Sequence, residues 1–86
     1  MATVAEVKTA IDAALQQIAD VQAAVQAATE RLAEAQQTLA GVLEGSGHET
    51  VGAAQASLSQ ANQELEDCLA ATLAAIEQAQ LYVATL

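Results

Sequence analysis

From Val4 onward an apolar residue returns every three or four positions for six consecutive heptads, and the chain contains no proline to interrupt them. With Val4 at heptad position a, the a positions are Val4, Ile11, Ile18, Val25, Leu32 and Leu39. The d positions are Val7, Ala14, Val21, Ala28, Ala35 and Val42. This spacing lines up one face of a helix, whereas a strand repeats every second residue. The positions between carry Glu6, Asp12, Gln16, Asp20, Glu30, Glu34, Gln37 and Glu44, which make a solvated outer face. Thr3 and Glu6 stand at capping-box spacing, so the helix is expected to begin near Thr3. Continued to Glu44, it would run roughly 60 Å.

All four glycines fall between Gly41 and Gly52. Gly45 suits the left-handed position that closes a helix. Ser46 suits an N-cap, with Glu49 three residues on as its capping-box partner. The sequence therefore predicts helices over 3–44 and 48–85 joined by a turn at Gly45, Ser46 and Gly47. Two long helices with almost no loop between them must run antiparallel. The predicted fold is all-α, a two-helix coiled-coil hairpin forming a single domain over 1–86.

The second segment places Val51, Leu58, Leu65, Thr72, Ala79 and Leu86 at one heptad position, and Ala54, Ala61, Cys68, Ala75 and Tyr82 at the other. A turn near Ser46 pairs residues whose numbers total about 93, a value that follows from closing the hairpin at that point. Leu39 then meets Ala54, Leu32 meets Ala61, Val25 meets Cys68, Ile18 meets Ala75 and Ile11 meets Tyr82. In the alternate layers Ala35 meets Leu58, Ala28 meets Leu65 and Val21 meets Thr72. Large faces small almost throughout, as interlocking helices require. Ala14 opposite Ala79 is the exception.

Such a hairpin buries little. The hydrophobic fraction is 53%, yet much of it is alanine, and Tyr82 is the only aromatic residue. A two-helix unit of this composition calls for further burial. Leu69, Leu73, Ile76 and Val83 form a stripe expected beside the seam, with Leu15 in the same half of the hairpin. These five residues mark the open end, away from the turn, as the expected partner surface. Its simplest occupant is a second copy of the chain, giving a homodimeric four-helix bundle. A larger partner protein is the other candidate.

The charge narrows the field of partners. A net charge of −9 with only Lys8 and Arg31 as basic residues argues against nucleic acid and against anionic membrane surfaces. No apolar run approaches the ~20 residues that span a bilayer. MATVAEVKTA lacks the basic and apolar regions of a secretory signal, so the expected location is cytoplasmic, or outside the cell by a route needing no such signal. Cys68 is the sole cysteine, expected as a small buried seam residue, and His48 is the sole histidine. About 20 helical residues separate them, roughly 30 Å, far beyond the reach of a nucleophile and its base. Glu44, His48 and Glu49 lack characteristic metal-site spacing. Glu64, Glu66 and Asp67 cluster on a helix beside solvent, and the Gly45–Gly47 glycines join helix to helix rather than strand to helix as a phosphate loop does. No catalytic residue, cofactor, metal site or small-molecule substrate is expected.

The turn Glu44–His48 (EGSGH) and a tyrosine close to the end of the sequence, Tyr82, resemble small helical-hairpin proteins of high-GC bacteria over the full length of the chain. That resemblance implies an adaptor or chaperone role beside a larger toxin-like or secreted protein. The architecture is similar, more distantly, to the Trp-X-Gly hairpin family exported by type VII secretion, which implies a dimer and a secreted substrate or its companion. Here the turn reads Gly45-Ser46-Gly47 without tryptophan. The fourth residue after Tyr82 is Leu86, where that family's export signal has an acidic residue.

Overall fold

In a computed structural model of the chain, residues 1–42 and 49–86 are described. They form two helices, α1 over Val4–Val42 and α2 over Glu49–Ala84, packed against each other with no strand among the described residues. The molecule is a rod of 64 × 18 × 15 Å. The expected turn at Gly45, Ser46 and Gly47 lies outside the described residues, as do Glu44, His48 and the side chain of Val42. Glu49, the expected partner in the second capping box, is the first residue of α2.

The N-terminal cap falls where the sequence places it. The backbone N–H of Glu6 donates to Thr3 Oγ1 at 3.1 Å, and the first helical bond runs from the Val7 N–H to the Thr3 carbonyl at 3.0 Å. Each satisfies a donor that a helix start would otherwise leave unpaired. At the other end the helix tightens. The N–H groups of Thr85 and Leu86 donate to the carbonyls of Tyr82 and Val83, and Thr85 Oγ1 also reaches the Tyr82 carbonyl at 2.6 Å.

Among the described residues, three side-chain hydrogen bonds cross between the helices. Gln22 Nε2 donates to Thr72 Oγ1 at 3.2 Å, Gln36 Nε2 to Ser59 Oγ at 3.3 Å and Gln55 Nε2 to the Gln36 carbonyl at 3.1 Å. The residue numbers of these pairs total 94, 95 and 91, so the helices run antiparallel in the register expected from the sequence.

The side chains that meet at the seam differ from expectation in one column. The a positions Ile11, Ile18, Val25, Leu32 and Leu39 turn inward. Val4 does not, and is 51% exposed. The second inward column lies one residue further along than expected: Leu15, Gln22, Thr29 and Gln36 on α1, and Gln55, Asn62, Leu69, Ile76 and Val83 on α2. Of the expected column, Val7, Ala28, Ala54 and Ala61 stay half-buried, while Ala14, Val21, Ala35, Cys68, Ala75 and Tyr82 are exposed. Cys68 is therefore not the buried seam residue that its heptad position suggested.

Side-chain size accounts for the shift. The column chosen on α2 carries Leu69, Ile76 and Val83, whose burial is worth more than that of Cys68 and Ala75. Toward the turn the same column holds Gln36 and Gln55, which bond across the seam instead of staying hydrated. The leucine stripe expected beside the seam thus lies within it. Leu15, Leu69, Ile76 and Val83 are half-buried, while Leu73 remains 56% exposed.

Candidate interaction face

A seam between two rods leaves two flanks, and here they differ chemically. On one flank Ala28, Arg31 and Leu32 of α1 and Ala61, Glu64 and Leu65 of α2 line an open hollow of about 510 Å³. Its floor is four apolar side chains, and its two charged groups, Arg31 and Glu64, come from opposite helices. Ala28 with Leu65, and Leu32 with Ala61, share this hollow as their expected layers imply. On the other flank Val25, Gln26, Thr29 and Glu30 line a smaller hollow of about 310 Å³ with Leu65, Glu66 and Leu69. Polar and acidic groups make up much of that lining.

The first flank extends along the molecule. Residues seven apart keep nearly the same direction on a helix. Ala14, Val21 and Ala35 therefore continue the side of Ala28, and Ala54, Cys68, Ala75 and Tyr82 continue the side of Ala61. Not one of these residues carries a charge or an amide. Val21 is 47% exposed and Tyr82 is 52% exposed. Tyr82 stands three heptads from Ala61, about 32 Å along α2. The face is thus low and alanine-lined, with one large projecting aromatic near the open end and one apolar hollow toward the turn.

Leu73, the one fully presented residue of the stripe read from the sequence, leans to the opposite flank, toward Glu66 and Glu77, which sit one turn or two from it. Leu81 is exposed on the back of α2, away from the seam. The alanine face went unnoticed in the sequence because its residues had been assigned to the seam. The signal was nevertheless present: this column is free of charged and amide side chains, while the column beside it carries Gln22, Gln36, Gln55 and Asn62.

Among the described residues, no three of His, Cys, Asp and Glu stand close enough together to hold a metal ion, and no helix is long and apolar enough to cross a membrane. Asp67, from the acidic cluster, accepts a bond from Gln63 Nε2 at 3.3 Å on the exposed side of α2. No family model, no curated protein and no solved structure matches the chain.

Proposed function

We propose that this chain is a non-enzymatic protein–protein interaction module, a helical hairpin that completes its core by associating with a second copy of itself. The surface area carries this conclusion. A compact folded monomer of 8.7 kDa exposes about 4,700 Å² by the usual scaling of surface with mass. This chain exposes 6228 Å², and among the described residues Val25 alone is buried, at 8% exposure. The excess of about 1,500 Å² per chain is more than the ~800 Å² that each partner contributes to a standard interface. Stacking two hairpins removes that excess from water, as a four-helix bundle does. An adaptor or chaperone-like role toward a larger protein is compatible with such a dimer, since its back faces remain free.

Sedimentation equilibrium of the full chain tests the proposal. It predicts a concentration-dependent species of twice the 8.7 kDa monomer mass. A monomer that persists to millimolar concentration while remaining helical would refute it.

A further inference from the structure

The self-association proposed above leaves the docking geometry open, and the alanine-lined flank supplies it. We infer that Tyr82 of each protomer inserts into the hollow between Ala28, Leu32, Ala61 and Leu65 of a second copy, so that two hairpins stack face to face with their turns at opposite ends.

Chemistry matches the two elements. Tyr82 is the sole aromatic residue and stands 52% exposed on a helix otherwise lined with alanine on that side. A phenol ring left in water forfeits a large apolar burial, and its hydroxyl needs a polar partner when the ring is covered. The hollow offers an apolar floor from four side chains with Arg31 and Glu64 beside it, so a hydroxyl at the tip of the ring can accept from the guanidinium or donate to the carboxylate. At about 510 Å³ and open to solvent, it has room for a side chain of this size.

Symmetry then fixes the arrangement. In a two-fold dimer the knob of one copy and the hollow of the other must exchange places about the axis. Tyr82 and Ala61 exchange about a point midway between them, near Ala71 and Thr72 of α2. Cys68, Ala71 and Ala75 flank that point, small residues that let two α2 helices approach closely. The alternative stacking, with both turns at the same end, would set hollow against hollow and leave both unfilled. The flank bearing Glu30, Glu66 and Glu77 would bring acidic groups of two chains together, on a molecule already at −9.

The absence of any other aromatic makes the test direct, because the tyrosine emission of the full chain comes from Tyr82 alone. Sedimentation gives the dimer constant, and acrylamide quenching reports whether the ring is covered. In the dimer Tyr82 should be protected from quenching, and dilution to monomer should expose it. Tyr82→Ala should raise the dissociation constant at least about 30-fold, as removal of an interface anchor does. Tyr82→Phe, which loses only the hydroxyl contact, should stay within about tenfold of the parent. Ala61→Leu should weaken the dimer by filling the hollow while the monomer stays helical, and Leu73→Glu, on the other flank, should leave the dimer intact. A Tyr82→Ala dimer as tight as the parent, or a Tyr82 equally quenched in dimer and monomer, would overturn this docking and leave self-association standing. Dissociation by Leu73→Glu but not by Tyr82→Ala would place the interface on the opposite flank. A parent chain that is monomeric throughout would overturn the docking and the self-association together.

Discussion

Asn62 is the point where the seam is least well satisfied, and its replacement by leucine gives a prediction whose sign is opposite to that of most core substitutions. Asn62 occupies the inward column of α2, and its Oδ1 is buried without a hydrogen-bond partner. The heptad before it shows what a satisfied amide does at this position: Gln55 Nε2 crosses to the Gln36 carbonyl. One heptad on, the corresponding residue of α1 is Thr29, whose hydroxyl is turned back to donate to the Val25 carbonyl at 2.9 Å. That donor is therefore committed within its own helix, and Oδ1 pays its desolvation unrelieved, at about 1–3 kcal/mol. Leucine removes the orphan acceptor and, being half-buried at this site, adds about 1 kcal/mol of apolar burial. With the exposed part of the amide giving up some hydration, Asn62→Leu should stabilise the chain by about 2 kcal/mol. For a domain of this size that is a rise in Tm of about 10 °C. Thermal unfolding followed by circular dichroism checks it, with parent and variant at the same protein concentration because association shifts Tm. An unchanged or lowered Tm would mean that the amide oxygen is not desolvated and unpaired in the folded chain.

Four further substitutions probe the seam and the helix ends. Val25→Ala removes the two methyl groups of the one buried residue among those described and should cost about 2 kcal/mol in urea unfolding, whereas the same change at the half-exposed Val21 should cost well under half as much in the monomer. Gly41 and Gly52 lie inside α1 and α2, and a Cβ added at either would meet nothing within 4 Å. Gly41→Ala and Gly52→Ala should therefore each stabilise by about 0.5–1 kcal/mol; a loss of stability at either would mean that its glycine is required by the chain path into the turn.

The hairpin and its register could be read from the residues because they rest on long-range regularities. Six heptads without proline leave little choice but helix, and a glycine cluster at mid-chain leaves little choice but reversal. The Thr3 cap was legible for a more local reason: a hydroxyl three residues ahead of a glutamate has one good use at a helix start. The choice between two adjacent columns was not legible from spacing. Columns three or four residues on from position a both satisfy heptad periodicity, and only their contents discriminate. Leu69, Ile76 and Val83 outbid Cys68 and Ala75 in apolar burial, and Gln22, Gln36 and Gln55 turn out to be seam residues because their amides find partners across it. Spacing alone does not separate a seam glutamine from an outer one, which is why Leu15 and the α2 stripe read as lying beside the seam rather than in it.

The same correction explains why alanine is so abundant. A helix in a two-stranded pair needs two inward columns, and residues beside them are free to be charged. Here the column left over by the seam holds Ala14, Val21, Ala28 and Ala35 on one helix and Ala54, Ala61, Cys68, Ala75 and Tyr82 on the other, without a single charged side chain in a chain with eleven acidic residues. The seam's own second column carries Gln22, Thr29, Gln36, Gln55 and Asn62, so this third column is the more uniformly apolar of the two, and it is the one open to the second copy proposed above. Small residues in that third column buy close approach, not burial area, so the face cannot hold a partner by size alone and needs a few large anchors. Tyr82 and Val21 are the large side chains it presents, and the hollow at Ala28 and Ala61 is the recess it presents. A hairpin that met all its burial within itself would have filled that recess from within; this one leaves the recess, lined also by Arg31 and Glu64, on the same face as the knob.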